Sequence, residues 1–295
     1  MSRLGVLGVV LLGSRGIFAS ERQTLSLDGE WEIADSLLPE VIPAAFPHTV
    51  PVPGLANLAK PAFPDVDRFI SRENLSRRIL HKLVPDDWLE KYWVGKVEQD
   101  RNYFWCRRTF RAPKERAAAL LKINKAQFGT AVWLNGLKVG ESPGCFTASV
   151  FALGKAIRWN AENTLVVRIG AHPAVLPDTF PTGSDFEKNT WSPGIYDSVS
   201  VSFCDNPVIE SIQIAPRIAS GEALVQTRVK NHSDAPVNAS VFHTVKTWKR
   251  AKPVAMGEAV AVTLPPGGER VLTQTIQIPD ARLWSPEDPF LYVVE

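Results

Sequence analysis

The sequence is poor in residues that would support disulfide or thiol chemistry. Its 295 residues include three cysteines, Cys106, Cys145 and Cys204, which lie far apart and form no Cys-x-x-Cys pair. This number and spacing exclude a disulfide framework and a zinc site of the usual kind, although one disulfide between two of the three remains open in an oxidising compartment. Cys106 alternates with Phe104 and Phe110, which favours a small buried hydrophobe over a reactive thiol.

Long apolar runs are also absent beyond the first twenty residues. Those twenty combine Arg3, a ten-residue apolar stretch from Leu4 to Gly13, and small residues at Ala19 and Ser20. This order is typical of a secretory signal peptide, so we expect cleavage after Ala19 and a secreted or periplasmic product that does not enter the membrane. The alternative is an uncleaved anchor, but a helical span needs roughly twenty apolar residues.

The mature chain is expected to lack net charge. Loss of residues 1–20 removes Arg3 and Arg15 and no acidic residue, so the basic residues fall from 33 to 31 and equal the 31 acidic ones. A chain of balanced charge has no reason to seek a phosphate backbone, so no nucleic-acid partner is expected. The five histidines lie too far apart to predict a metal site. No phosphate-binding glycine motif or nucleophile elbow occurs either, and we expect no cofactor.

What the sequence does contain is a series of β patterns centred on the Asn-Gly pair at residues 135–136. Runs rich in aliphatic and aromatic residues flank this pair at 130–134 and 137–140. Both central residues of a type I′ turn need a positive φ, so an Asn-Gly pair in this setting predicts a two-residue β-hairpin. In residues 165–169 the side chains of Leu165, Val167 and Ile169 share one face and Arg168 lies on the other. These patterns predict an antiparallel β-sandwich.

Two neighbouring stretches are less regular. Residues 25–33 alternate around an Asp-Gly pair, and we expect them to form the first strand of the mature domain. Residues from about 70 to 95 interrupt the β pattern, and Ser71 could cap a helix carrying Leu75, Ile79 and Leu83. We expect a helical insertion whose apolar side packs on the sandwich, although its aromatic residues could instead line a sugar surface.

Beyond Asn206-Pro207 the chain settles into short strands at regular spacing, with turns rich in Asn, Ser, Pro and Gly between them. The predicted strands are Ile212–Ile214, Ala223–Val229, Val237–Val245, Ala259–Leu264 and Val271–Ile278. This spacing predicts an immunoglobulin-like sandwich. A strand that begins only at Tyr292 would leave this sandwich without its closing strand, so we expect an unpaired edge and an unstable or aggregating second domain.

Six stretches in this order carry a family resemblance. They are Leu27–Trp31, Tyr103–Phe110, Val132–Gly136, Asn163–Arg168, Trp191–Val199 and Leu283–Tyr292. Together they resemble the N-terminal part of glycoside hydrolase family 2, the group of β-galactosidases, β-glucuronidases and β-mannosidases. The resemblance implies an all-β layout: a jelly-roll sugar-binding domain at residues 21–205 and an immunoglobulin-like β-sandwich, truncated at its C-terminal end, at residues 206–295. It also implies a carbohydrate substrate, a β-glycoside.

The resemblance further implies a catalytic TIM barrel, which we expect downstream of this chain. Retaining glycosidases cleave with two carboxylates roughly 5 Å apart. In this family both are glutamates on the barrel, and the acid/base one follows an asparagine. No Asn-Glu dipeptide occurs in the sequence. These 295 residues alone are therefore not expected to hydrolyse a glycoside, and we predict no catalytic residue among them.

Family members place a sugar-contacting acidic residue shortly before a Trp-x-x-Gly-Ile region, which here spans Trp191–Ile195. The corresponding position falls on Lys188 or Asn189, neither of which is acidic, and Asp185 is the nearest carboxylate upstream. This departure leaves the identity of the sugar open. We take Asp185, Asn189 and Trp191 as candidate substrate-binding residues, since an amide can bond a hydroxyl and an indole can stack on a pyranose. The simpler interpretation is a turn-capping asparagine and a core tryptophan.

These observations favour the non-catalytic N-terminal portion of an exported family-2-like β-glycosidase. This portion would shape and border the active site of the downstream barrel. A stand-alone secreted carbohydrate-binding protein is the alternative from another class. A purely structural β-sandwich protein is the third.

Overall fold

The computed structural model describes residues 22–63, 66, 76, 78–88, 101–170, 175 and 193–295, which form two β-sandwiches in sequence. The predicted all-β fold class is confirmed. The predicted signal peptide, residues 1–20, lies outside the described residues. Among those residues no helix is long and apolar enough to cross a membrane.

Three antiparallel sheets build the first sandwich. The largest has six strands in the order β3 (His48–Val52), β2 (Gly29–Ser36), β5 (Tyr103–Arg111), β11 (Glu162–Gly170), β8 (Thr130–Leu134) and β9 (Leu137–Ser142). The second runs β1 (Gln23–Ser26), β13 (Val199–Cys204), β6 (Ala118–Ile123) and β10 (Ser149–Ala152). The third consists of the short strands β4 (Gly54–Leu55), β12 (Gly194–Ile195) and β7 (Ala126–Gln127).

The core of this sandwich lies between the two larger sheets. Leu165, Val167 and Ile169 of β11 are fully buried, as their alternation predicts, and they belong to the same apolar cluster as Leu121 of β6 and Val201 of β13. Successive residues of a strand point to opposite faces, so this clustering fixes which face of each sheet is internal.

The hairpin between β8 and β9 forms at the predicted place. Asn135 has a φ of 53° and Gly136 a φ of 84°, the positive values that the two-residue turn requires. The Asn135 side-chain amide donates to the carbonyl oxygen of Ala156 and to Oδ1 of Asn163, both at 2.8 Å. The turn is therefore tied to the chain that leads into β11.

The expectation of one strand over residues 25–33 is wrong. The chain instead forms β1, which pairs with β13, and β2, which pairs with β3 and β5 in the other large sheet. Gly29 has a φ of 125° and Asp28 Oδ1 accepts the Val199 backbone N–H at 2.8 Å. The Asp-Gly pair is thus the point at which the chain crosses between sheets.

The helical insertion is only partly described. Residues 76 and 78–80 are helical, within the predicted range. Leu83, expected on the buried side of the helix, lies in the turn after it and is 57% exposed. The helix has ended before Leu83, so this side chain no longer shares the face of Ile79. Ser71 and Leu75 lie outside the described residues.

The second sandwich also contains three antiparallel sheets. They run β14 (Val208–Arg217), β15 (Glu222–Lys230), β20 (Glu269–Gln277); then β16 (Val237–Val241), β19 (Val260–Leu264); and β18 (Pro253–Met256), β17 (Thr244–Thr247), β21 (Tyr292–Val294). The predicted strand 237–245 is divided into β16 and β17, and β18 was not anticipated. His243, predicted to be a packed residue, is 1% exposed at the division, with Nε2 2.6 Å from Thr227 Oγ1. Within the part of the chain that the structure describes, β21 is an edge strand paired only with β17.

All three cysteines are free and buried. Cys106 packs in the same cluster as Phe104 and Phe110, and burial raises the pKa of its thiol to about 12. The prediction of a small buried hydrophobe is therefore confirmed, because a thiol with such a pKa is a poor nucleophile at neutral pH.

Candidate functional site

Four strand ends of the six-stranded sheet meet at one edge of the first sandwich. β5 begins at Tyr103 and β11 ends at Gly170, and these two residues are direct partners. β8 begins at Thr130, which pairs with Ser142 at the end of β9. Residues 171–192 leave from this edge at the end of β11, so the segment that contains the candidate substrate-binding residues starts here.

A cleft of about 350 Å³ lies at this edge. Its lining combines two aromatic rings, three hydroxyls, a carboxylate and a guanidinium, which belong to Tyr103, Phe128, Thr130, Ser142, Glu141 and Arg168. The Tyr103 ring is partly exposed and offers an apolar surface, whereas the Phe128 ring is fully buried beneath the cleft. The polar groups offer hydrogen-bond donors and acceptors. Ligand sites commonly pair such apolar surface with a few convergent polar groups. The composition suits a small polyhydroxylated molecule.

Arg168 is the cation of this cleft. Its guanidinium carbon lies 4.7 Å from the centroid of the Tyr103 ring and 5.6 Å from that of Trp133. It donates to Glu40 Oε1 at 3.1 Å and also to the carbonyl oxygen of Pro39. Stacking on aromatic faces and a charged hydrogen bond hold a guanidinium in one place. The residue is therefore fixed against the outer face of the sheet, as the alternation along β11 predicts.

Arg168 begins a row of alternating charges. Glu40 Oε1 also accepts Lys138 Nζ at 3.0 Å, and the same Nζ lies 3.1 Å from Glu141 Oε2. The hydrogen bond from Lys138 is the main cause that lowers the pKa of Glu40, and Arg168 adds to it. The hydrogen bond to Glu40 is likewise the main cause that raises the pKa of Lys138. Glu40 and Lys138 are therefore both charged at neutral pH, and the row orients side chains rather than transferring protons.

The carboxyl groups that depart clearly from their ordinary pKa all depart downward. In the described part of the chain these are Glu32, Glu40, Asp197 and Asp288. The leading causes are hydrogen bonds from the Arg107, Lys138 and Arg282 side chains and from the Ser198 backbone N–H. A general acid for glycoside cleavage needs a pKa raised towards neutrality. None of these four groups is suited to donate a proton to a leaving oxygen.

The residues on either side of the 171–192 segment contact β7 or the residue that follows it. The Gly170 N–H donates to the Phe128 carbonyl oxygen at 2.7 Å. At the other end, Gly194 of β12 pairs with Gln127 of β7. The described residues that flank the segment therefore lie next to Gln127 and Phe128, and both Phe128 and Gly170 line the cleft.

Position 194, at the start of β12, requires glycine. A Cβ built on Gly194 would lie 2.4 Å from the Gly54 carbonyl oxygen and 2.5 Å from the Leu55 Cα, distances that no real side chain tolerates. The next residue, Ile195, is 1% exposed and belongs to the main core cluster. The Gly-Ile pair of the Trp-x-x-Gly-Ile region thus has a packing explanation: a close backbone approach followed by an apolar anchor.

Comparison with known proteins identifies the relatives of this chain. Residues 208–295 match the family model for Glycosyl hydrolases family 2. The predicted resemblance to this family is confirmed. Beta-galactosidase BoGH2A from Bacteroides ovatus is 24% identical over 199 residues, which cover 64% of this chain and 22% of that protein.

Solved structures of family 2 proteins share the fold. A variant of β-glucuronidase 2 from Bacteroides uniformis superposes on 93% of this chain with a TM-score of 0.65 and 19% identity. A putative β-galactosidase from Bacteroides fragilis covers 92% with a TM-score of 0.63 and 19% identity. A β-galacturonidase from Eisenbergiella tayi covers 94% with a TM-score of 0.59 and 17% identity. This chain spans only 30%, 38% and 42% of those three chains, respectively.

The three residues predicted to contact a family 2 substrate lie outside the described residues. Asp185, Asn189 and Trp191 belong to the 171–192 segment, so their role as substrate-binding residues stays a prediction. The structure instead forms a cleft around Arg168 and bonds Arg168 to Glu40 outside the cleft lining, neither of which the sequence analysis anticipated. Glu40 lies 128 residues from Arg168, and the only signal was a lone arginine on the outer face of β11. Among the described residues no group of three or more His, Cys, Asp or Glu side chains could hold a metal ion.

Proposed function

We propose that this chain is the non-catalytic N-terminal portion of an exported family 2 β-glycosidase. In this proposal residues 1–20 are a signal peptide, residues 21–205 form the jelly-roll sugar-binding domain, and residues 206–295 begin an immunoglobulin-like domain. A catalytic TIM barrel follows. The observation that carries the proposal is the partial span: the chain covers 22% of a β-galactosidase and 30% to 42% of the three solved chains compared above.

The proposed role of the first sandwich is to rim the active site of the barrel. The residues on either side of the 171–192 segment lie beside the cleft, and the segment carries Asp185, Asn189 and Trp191. Asn189 would bond a sugar hydroxyl and Trp191 would stack on the ring. The relatives are named for galactose, glucuronic acid and galacturonic acid, so the proposed substrate class is a β-glycoside, with the sugar left open between neutral and acidic forms.

The lowered carboxyl pKa values support the non-catalytic assignment. Cleavage with retention needs one carboxyl that holds a proton near neutral pH and a second that is ionised. The clearly shifted carboxyls among the described residues include none that is raised. The reactive pair is therefore proposed to belong to the barrel.

The DNA that follows codon 295 tests the proposal directly. We expect an open frame that encodes a barrel with an Asn-Glu pair, and a stop codon would contradict the proposal. In the longer protein, Asn189→Ala and Trp191→Ala should each lower kcat/KM for an aryl β-glycoside. Asn238→Ala is the matched control, because Asn238 is exposed in the other sandwich.

The alternative, a stand-alone secreted carbohydrate-binding protein, is favoured by one observation: the cleft at Tyr103 and Arg168 is present without a barrel. Calorimetric titration of the 295-residue chain with methyl β-galactoside, β-glucuronide and β-mannoside separates the two. We expect no micromolar binding. Micromolar affinity that Tyr103→Ala abolishes would establish the alternative instead.

A further inference from the structure

The cleft at the edge of the first sandwich contains a cation that already has an anionic partner. Arg168 lines the cleft, and its Nη1 donates to Glu40 Oε1 at 3.1 Å, outside the cleft lining. The same nitrogen also donates to the carbonyl oxygen of Pro39. A charged hydrogen bond of this kind holds both partners. A second anion that approached this guanidinium would therefore have to compete with Glu40.

The same side chain still has hydrogen-bond donors to offer. A guanidinium carries several N–H donors in a planar fork. Both hydrogen bonds of Arg168 start at Nη1, and among the described residues none accepts from its Nη2 or Nε. Arg168 thus supplies donors without an uncompensated positive charge. This combination suits a hydroxyl oxygen better than a carboxylate, because a carboxylate that leaves water needs an opposite charge that is not already paired.

The cleft is also lined by a carboxylate, that of Glu141. Its side chain is 63% exposed, and its Oε2 lies 3.1 Å from Lys138 Nζ. Carboxylate oxygens accept hydrogen bonds from hydroxyl groups. They also disfavour a second carboxylate in the same site, because the two like charges repel. Glu141 can therefore accept from a neutral sugar, but it opposes the binding of a uronic acid.

The charges around the cleft balance. Arg168, Glu40, Lys138 and Glu141 are linked in that order by contacts of 3.1, 3.0 and 3.1 Å, and we call these four residues the charge row. The lowered pKa of Glu40 and the raised pKa of Lys138 keep both groups charged at neutral pH. Two positive and two negative groups then give the row no net charge. A ligand therefore meets polar atoms here but no attractive field for an anion.

The size of the cleft limits its ligand. Its volume of about 350 Å³ is at the small end of ligand sites, which span roughly 300–1,000 Å³. The partly exposed ring of Tyr103 adds an apolar surface to the polar groups. Sugars have both apolar C–H faces and hydroxyl edges, so they match such a mixed lining. A cleft of this size suits one sugar unit rather than an extended glycan.

We propose that the cleft is an accessory binding site for a neutral sugar unit and that the charge row makes it reject uronic acids. This inference rests on the proposed function, in which the substrate is a β-glycoside, and it narrows the class of sugar that this edge of the sandwich binds. Glu40 and Glu141 are the specificity-determining residues. Glu40 occupies the charge of Arg168, and Glu141 repels an incoming carboxylate.

Saturation-transfer NMR of the 295-residue chain tests the proposal with matched ligands. Cellobiose and lactose are the neutral probes. Cellobiouronic acid is the anionic probe, in which a carboxylate replaces the hydroxymethyl group of one ring of cellobiose. We expect at least one neutral disaccharide to bind with a millimolar dissociation constant, and cellobiouronic acid to bind about tenfold more weakly than the neutral sugars. Binding of neither neutral sugar, or equal binding of cellobiose and the acid, would overturn the proposal.

The variant Glu40→Gln separates charge from shape. The amide is close in size to the carboxylate, but it leaves Arg168 and Lys138 without the anion that they share. Binding of cellobiouronic acid should improve by about tenfold, whereas binding of cellobiose should not change. Glu269→Gln is the matched control, because Glu269 pairs with Arg228 in the second sandwich. A Glu40→Gln chain that rejects the acid as strongly as before would overturn the proposed role of the charge row.

Two further variants locate the binding. Tyr103→Ala removes the partly exposed ring and should abolish saturation transfer to the neutral sugar, with a urea midpoint to show that the chain still folds. Glu141→Gln should improve the binding of cellobiouronic acid, because it removes the carboxylate that lines the cleft. Unchanged binding of the neutral sugar by a folded Tyr103→Ala chain would place the ligand elsewhere and overturn the proposal.

Failure of this inference is distinguishable from failure of the proposed function. A gene without a downstream barrel would overturn the proposed function, whereas the selectivity of the cleft is measured on the 295-residue chain itself. If the longer protein hydrolyses an aryl β-glycoside while the cleft binds neutral and acidic disaccharides equally, this inference alone is overturned.

Discussion

The two sandwiches cover their apolar residues to different extents. In the first, one cluster joins both large sheets and includes the fully buried aromatic rings of Trp31, Phe104 and Phe203. In the second, the buried residues of the described chain form two small clusters of Ala, Val, Leu and Ile, without a fully buried aromatic ring. The hydrophobic core of the second sandwich is therefore smaller than that of the first.

The exposed residues complete the contrast. Ile212 and Ile214 lie on the same face of their sheet as the buried Thr227 and Val225, yet they are 37% and 47% exposed. The described strands of the second sandwich therefore leave these two isoleucines partly uncovered. The described strands of the first sandwich therefore cover its core more completely than those of the second cover theirs.

The largest expected effect compares two equally buried leucines. Leu165 and Leu264 are both fully buried, in the first and second sandwich respectively. Leu165→Ala should cost about 4 kcal/mol, because the central strand β11 cannot move to fill the cavity. Leu264→Ala should cost about 2 kcal/mol, because a small cluster near solvent collapses more easily. Hydrogen-exchange mass spectrometry of the 295-residue chain in urea gives both values, with exposed Leu137→Ala as the control.

Equal costs for the two leucines, or the reverse order, would contradict the contrast between the sandwiches. A cost above about 1 kcal/mol for Leu137→Ala would show that the measurement does not report burial.

The next effect should be the same in both sandwiches. Asn163 and Asn231 are fully buried and bond several backbone groups. Asn163 accepts from the Arg158 N–H and donates to the carbonyl oxygens of Arg158 and Ala161. Replacement by alanine leaves these buried backbone groups without a hydrogen-bond partner. Each such group that water does not reach should lower the free energy of unfolding by about 1–3 kcal/mol.

We expect Asn163→Ala and Asn231→Ala to cost a similar amount, about 3 kcal/mol, in urea unfolding. Exposed Asn238→Ala should change stability by less than about 0.5 kcal/mol. A neutral Asn231→Ala would mean that the network at residues 206–235 is not formed in solution.

The third effect concerns the cleft. Arg168→Lys keeps the charge that Glu40 needs but removes the planar group that stacks on Tyr103 and Trp133. We expect a loss of about 0.5–1 kcal/mol in the first sandwich and none in the second. Arg270→Lys, at an exposed position of β20, is the control. An unchanged urea midpoint for Arg168→Lys would mean that stacking contributes nothing here.

The smallest expected effect is a pH dependence in the second sandwich. Burial lowers the pKa of His232 below its ordinary value of 6.5, a shift that Lys230 strengthens and Glu210 partly offsets. The unfolded chain takes up the proton first, so the contribution of this group is fully present above about pH 6.5 and is lost as pH falls through the folded-state pKa. Exchange protection of β14 and β15 should therefore decline as the pH falls below about 6.5. His232→Gln should flatten that slope, and an unchanged slope would rule this group out.

Much of the fold could be predicted from the sequence, because it depends on local signals. The Asn135-Gly136 turn and the alternation in β5, β11 and β13 need only the preferences of neighbouring residues. The errors arose where the outcome depends on distant partners. Residues 25–33 cross between two sheets because Asp28 binds the backbone of Val199, 171 residues away.

The candidate site was harder to predict for the same reason. The cleft joins residues of β5, β8, β9 and β11 that are distant in sequence, and the Arg168–Glu40 contact crosses from a strand to a loop. Nothing in the local pattern of either segment indicates that contact. Gly194, by contrast, belonged to a motif that the sequence analysis had noted, and the structure supplies its packing reason.

The most direct test of the central claim is the turnover of aryl β-glycosides. The purified 295-residue chain and the longer product of the same gene are assayed side by side with β-galactoside, β-glucuronide and β-mannoside substrates. We predict no turnover above background by the 295-residue chain and hydrolysis of at least one substrate by the longer protein. Hydrolysis at enzymatic rates by the 295-residue chain would contradict the account.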